Sequence, residues 1–274
     1  MTDPTLIRIA DALERLSPPP LTASPASGHW FVWDARGLEA VPPPRALPLA
    51  LYAGVDDQKA ALHENARRHA AGLPAHDVLL WGARGMGKSS LTRAVHAAVL
   101  ADGHDLALIQ VGQPDLASLP RLFGALGGID RRFTVFLDDL ALDGDGGEVH
   151  ALRSLLDGGV MARPDSVRLV VTSNRRNLVP QSMAENDAVS ARDVLDDRLA
   201  LADRFGLKLG FHVCDQPTYL AICEGYARAF GLPFAAEAAL AFATARGARS
   251  GRVAWQFTVE TAGAAGMKLQ IPDK

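Results

Sequence analysis

Gly82, Gly87, Lys88 and Ser89 fall in the spacing G-x-x-x-x-G-K-S within WGARGMGKSS, residues 81–90. The apolar run Val78–Trp81 precedes it and the helix-compatible run Ser90–Leu100 follows. Strand, loop, helix is the context a phosphate-binding P-loop requires. Glycines at 82, 85 and 87 open conformations closed to residues with a Cβ. Successive N–H groups over Gly82, Ala83, Arg84, Gly85, Met86 and Gly87, and on to Ser90, can then wrap an anion. The helix that follows aims its positive end at the same anion. In this pattern Lys88 reaches the β- and γ-phosphates of ATP and the Ser89 hydroxyl ligates Mg²⁺. The bland alternative is a Gly-rich strand–helix turn, which the flanking elements disfavour.

Downstream stand further polar residues at the ends of apolar runs. Phe133–Leu137 delivers Asp138 and Asp139. A buried strand that ends in a carboxylate places it in a Mg²⁺ coordination sphere, the role expected of Asp138. Asp139 is the candidate to polarise an attacking water; it is one methylene shorter than the glutamate usual at such positions, and Asp143 can share the role. Val167–Ser173 ends at Asn174, which is placed to hold a γ-phosphate or a nucleophilic water, or else is an ordinary turn Asn. Arg204, in DRFG at 203–206, either complements a helix C-terminus or reaches a neighbouring subunit's nucleotide as an arginine finger. Arg252, in RSGR at 249–252, can close onto phosphates from the start of the last helix. Arg249 and Arg246 are its alternates.

These residues need a scaffold that brings strand ends together, and the periodicity from residue 51 onward describes one. A helix is expected over 57–71, then strands at 78–81, 106–111, 134–137, 167–172 and 207–211. A polar helix over 115–126 and helices over 149–156 and 188–203 lie between them. Strands alternating with helices imply a mostly parallel sheet covered on both faces, with ligands beyond the carboxyl ends of its strands. After 213 only helical stretches remain, at 216–230, 235–246 and 251–263, which suits a lid over the nucleotide. Ahead of 51 stand a helical pattern over 4–16 and the Pro-rich runs SPPPLTASPASG and PPPRALPLA. Between those runs, HWFVW at 29–33 reads as a short strand or an aromatic plug docked on the chain's own core. The expected division is therefore 1–50, an N-terminal helix and Pro-rich segment; 51–212, the α/β nucleotide-binding domain; and 213–274, the helical lid.

Composition excludes several classes. The chain has 274 residues, enough for one large or two small domains, and a net charge of −3 gives no broad basic footprint for nucleic acid. Cys214 and Cys223 show neither metal-ligand spacing nor a disulfide framework. No 18-residue apolar run and no cleavable leader are present, so the expectation is a cytoplasmic protein without a membrane partner.

Together these motifs resemble the AAA+ ATPase superfamily. GARGMGKSS matches its Walker A motif, VFLDDL Walker B, VVTSN sensor 1, DRFGL the box carrying the arginine finger, and SGRVAWQF sensor 2. The order holds over residues 51–265. Within the superfamily, GVDDQKAALHENARRHAAGLPAHDVLLWGARG, TSNRRNLVP, LADRFGL and RSGRVAWQF are similar to a bacterial family known only as a domain of unknown function. The resemblance implies a P-loop α/β fold with a five-stranded parallel sheet in the order 5-1-4-3-2, a helical lid, ATP and Mg²⁺ as cofactors, and a homo-oligomer. It supplies no substrate. The leading expectation is an oligomeric Mg²⁺-ATPase that remodels or loads a macromolecule, its client a protein or a nucleic-acid machine. The alternative is an ATP-dependent binding switch of helicase-loader type with weak hydrolysis, for which Arg175-Arg176 offers a small basic element. A small-molecule P-loop kinase is disfavoured, because it needs neither a trans finger nor a lid sensor.

Overall fold

The computed structural model describes Arg8, residues 21–140, Leu156, residues 163–174 and residues 201–269. Outside the described residues lie the helix expected over 4–16 (apart from Arg8), the helix over 149–156 (apart from Leu156), Asp143, Arg175-Arg176, and the helix over 188–203 up to residue 200.

Five strands form the all-parallel part of the sheet, with β8 at its edge: β4 (Val78–Gly82), β5 (Leu106–Val111), β6 (Arg132–Leu137), β7 (Val167–Ser173) and β8 (Leu207–Phe211). All are parallel to their neighbours within this group, in the order β8-β4-β7-β6-β5. Renumbered from the first of these in the chain, that is 5-1-4-3-2. β4, β5, β6 and β7 are buried on both faces, which is why they read as near-continuous apolar runs, whereas β8 leaves Lys208 exposed. Alternate residues divide between two cores. In β4, Val78 and Leu80 join one cluster and Leu79 the other. In β6, Phe136 faces the first, and Val135 and Leu137 face the second. Helices α1 (Asp56–Ala70) and α2 (Lys88–Ala101) cover the first face through Leu62, Leu91, Val95 and Val99. Helix α3 (Leu119–Leu126) covers the second through Leu119, Leu122, Phe123 and Leu126.

Two expectations need correction. The segment at 115–126 is not one polar helix. Gln113–Ser118 is a 3-10 turn, and α3 buries a full apolar face. The pattern was obscured because the turn's polar residues run straight into the helix. The sheet is also larger than five strands. It has eight, continued beyond β5 by β2 (Trp30–Asp34), β3 (Gly37–Ala40) and β1 (Leu21–Thr22). HWFVW is therefore a strand. β2 runs parallel to β5 and antiparallel to β3, so the sheet is mixed at this edge. Its tryptophans dock on the chain's own core: Trp30 meets His96 of α2 edge-on at 4.5 Å, and the Trp33 indole N–H donates to Ser118 Oγ at 2.7 Å. The Arg121 guanidinium lies 4.8 Å over the Trp33 ring.

The C-terminal helices are α4 (Gln216–Phe230), α5 (Ala236–Ala245) and α6 (Gly251–Ala264). Asp215 caps α4 by accepting from Thr218 N–H, and Ser250 caps α6 by accepting from Val253 N–H. Tyr219 is fully buried and donates its hydroxyl to Ala239 O at 3.2 Å, tying α4 to α5. Trp255 of α6 packs edge-on against Tyr226 and Phe230 of α4.

Candidate functional site

The loop between β4 and α2 begins where two strand ends touch. A Cβ at Gly82, whose φ is 119°, would stand 2.2 Å from the Phe211 carbonyl oxygen at the end of β8. Ala83 N–H donates to that same oxygen at 2.7 Å, which anchors the loop on β8. Gly87, at φ 87°, turns the chain into α2 in a conformation that L-residues rarely adopt. The first N–H groups of α2 have no intrahelical partner and open toward the loop's hollow. Met86 and Ala83 are buried beneath the loop; Arg84 is exposed at its rim.

Lys88 is buried, and its ammonium donates to Gly82 O at 3.0 Å, Ala83 O at 2.9 Å and Asn174 Oδ1 at 2.9 Å. Burial pulls this lysine below its ordinary range, while the Asp139 and Asp138 carboxylates oppose that shift. Asn174 also donates from Nδ2 to Asp139 Oδ1. The side chain just past β7 therefore joins the P-loop lysine to the second acidic residue after β6. Ser89 Oγ donates to Asp138 Oδ1 at 2.5 Å, and Arg93, one turn along α2, stands 3.5 Å from Asp138 Oδ2. Ser90 Oγ meets the Tyr52 hydroxyl at 2.5 Å. Asp139 is the only non-glycine among the described residues with positive φ, at 55°. Aspartate tolerates that region better than longer side chains do. The shorter acid therefore suits the backbone conformation of this turn.

All of these groups open on one cleft of 680 Å³. Arg45, Arg84, Lys88, Arg93 and Arg252 line it against only two carboxylates, Asp138 and Asp139, a balance that favours a polyanion. Leu51, Tyr52, Ile222, Tyr226 and Trp255 give it an apolar wall. The residues fit the cofactors expected of them. The glycine loop and helix end suit phosphate, and the adjacent Ser89 and Asp138 oxygens are hard donors of the kind Mg²⁺ takes. Among the described residues, no cluster of three or more His, Cys, Asp or Glu could hold another metal.

The lid meets the loop directly, since Arg252 N–H donates to Gly85 O at 3.0 Å. Of the three candidate lid arginines, Arg246, Arg249 and Arg252, it is Arg252 that lines the cleft. Arg249 reaches Gln216 at 3.4 Å, and Arg246 lies 5.0 Å over the Phe242 ring. Arg204 is not part of this cleft. It precedes β8, and β8 pairs Leu207 with Val78 and Phe211 with Gly82. The P-loop and Arg204 thus sit at opposite ends of the same strand pair, about 13 Å of strand apart. Sequence reasoning missed Tyr52 and Arg93, which line the cleft. Each reads as an ordinary member of its element, and only α2's i, i+4 spacing from Ser89 to Arg93 carried any signal.

Among the described residues, no helix is long and apolar enough to cross a membrane. No curated protein sequence matches this chain. Among solved structures, a RuvB variant from Thermotoga maritima is 19% identical with a TM-score of 0.51, covering 81% of this chain and 67% of that one. The Aeropyrum pernix ORC1 protein, solved in complex with DNA, is 15% identical with a TM-score of 0.57, covering 82% and 66%. This chain spans about two thirds of the length of each, and at such identities the likeness is one of fold: an α/β P-loop fold of AAA+ type. The family described as "Protein of unknown function (DUF815)" matches residues 26–265, and the chain belongs to it.

Proposed function

We propose that this protein is a Mg²⁺-dependent ATPase that assembles with copies of itself and couples ATP binding and hydrolysis to remodelling or loading of a macromolecular partner. The observation that carries the reading is the network at the mouth of the P-loop. Lys88, Asn174 and Asp139 are linked, with Ser89 and Asp138 paired beside them. In this reading an entering triphosphate is wrapped by the loop's N–H groups and exchanges for one of the Lys88 contacts. Asn174, released from lysine, orients the water that attacks the γ-phosphorus, Asp139 accepts its proton, and the β–γ phosphoanhydride bond breaks with ADP as the leaving group. Ser89 and Asp138 would hold Mg²⁺, which when bound would neutralise charge on the phosphoryl oxygens as a Lewis acid. Arg252 brings a lid cation to the phosphates in cis. Arg204, remote from its own loop, acts on a neighbour's nucleotide.

A second reading, an ATP-dependent binding switch of helicase-loader type with weak hydrolysis, draws on the neighbour solved with DNA. Steady-state turnover with and without DNA separates the two: multiple turnover without DNA supports the first, and tight ATP binding with negligible turnover supports the second. Capture with an Asp139→Asn variant held in the ATP state identifies the client.

A further inference from the structure

The register between β6 and β7 pairs Leu137 with Val171. One step further along, Asp138 faces Thr172 and both side chains share a face of the sheet. Thr172 is 1% exposed, and its hydroxyl and carbonyl both reach the turn that follows β6. Its hydroxyl donates to Asp138 Oδ1 at 2.6 Å and accepts from Asp139 N–H at 2.8 Å. Its carbonyl accepts from Leu140 N–H at 2.9 Å. One buried residue therefore orients the first carboxylate and pins the backbone on both sides of Asp139, the residue held at φ 55°. A carboxylate fixed by a buried hydroxyl keeps its other lone pairs directed at whatever it ligates. A turn pinned at 139 and 140 keeps the Asp139 side chain within reach of Asn174.

Resting on the nucleotide reading of the same cleft, we infer that Thr172 is a positioning residue, setting Asp138 for the cation and Asp139 for the water through one hydroxyl. It touches neither ligand. Its effect on the cation is indirect, so it is read out in Mg²⁺ dependence rather than in nucleotide affinity as such.

The test compares wild type with Thr172→Val, which keeps volume and β-branching but removes the hydroxyl, and with Thr172→Ser, which restores it. ADP affinity is measured by calorimetry in EDTA and across a Mg²⁺ titration. Affinity in EDTA should stay within about twofold in Thr172→Val, because the loop and Lys88 are untouched. The half-saturating Mg²⁺ concentration should rise about tenfold, the scale of a lost support behind a metal ligand. Thr172→Ser should return it to within about threefold of wild type. An unchanged Mg²⁺ midpoint in Thr172→Val overturns the proposal, as does an equal defect in Thr172→Ser. A wild type whose ADP affinity ignores Mg²⁺ instead overturns the reading of the cleft. Should Thr172→Val fail to fold, judged by loss of the wild-type thermal transition, Thr172→Ala carries the same titration.

Discussion

The two ends of the sheet's five parallel strands carry charged groups of the same kinds in different arrangements. At the carboxyl end, Lys88, Asn174, Asp139, Ser89 and Asp138 form contacts between three segments that are distant in sequence, the start of α2 and the ends of β6 and β7, and they open on a cleft. At the amino end, the polar groups fasten the fold. Arg163 pairs with half-buried Asp77 at 2.8 Å, Asn65 exchanges two hydrogen bonds with the His76 backbone, and His69 binds Phe133 O at 3.0 Å. Strand ends at the carboxyl side lead into a glycine loop and a helix N-terminus whose N–H groups await a ligand; those at the amino side follow helices and close on themselves. Chemistry is therefore expected at one end of the chain's own sheet and stapling at the other. Arg204, at the amino end, has a chemical role only if a second copy brings a P-loop to it.

The sharpest way to break that contrast is Arg204→Ala. ATP affinity should hold, while turnover should fall by about 10³-fold or more, as for other trans fingers. Mixing with Lys88→Ala protein should restore part of it, since Arg204 of that chain can serve the intact P-loop. A concentration-independent rate with no rescue would return Arg204 to a purely structural role. Asp139→Asn should bind ATP and lose turnover by about 10²–10⁴-fold, the range for a general base; wild-type turnover in single-turnover assays would shift the role to Asp143. Lys88→Ala should weaken ATP binding by about 10²-fold by calorimetry, the scale of a charge-assisted contact. Equal ATP-induced melting shifts in variant and wild type would remove Lys88 from the site.

The amino end and the α2 face can be tested by pH. Burial pulls His69 and His96 down to about 4 from 6.5. Their folded values lie below the unfolded ones, so the unfolded chain binds more protons between about pH 6.5 and 4. Stability is then fully present above 6.5 and is lost as pH falls through that window. Each shift corresponds to roughly 3 kcal/mol at its limit. The melting temperature should drop from pH 7 to pH 5, and a His69→Gln variant should flatten the drop. An unchanged slope would assign acid sensitivity elsewhere.

What was legible in the sequence was local. The P-loop spacing, the apolar runs with their polar ends and the lid helices all follow from short-range periodicity and turn chemistry, and the resemblance supplied the order 5-1-4-3-2 that the parallel strands adopt. Three strands ahead of residue 51 were largely hidden, because a two-residue strand and an aromatic run between prolines carry no alternation long enough to count.

The sequence by itself determined which residues stand at strand ends, because a buried parallel strand must be apolar and its first polar residue marks where it leaves the core. Only the tertiary structure decided which of those ends meet. The one-residue register between β6 and β7 sets Thr172 against Asp138, the start of α6 on Gly85 selects Arg252 among three arginines, and a left-handed turn aims Asp139 at Asn174. Such pairings depend on distances between segments tens of residues apart, and those are fixed by packing and register, which no local pattern encodes.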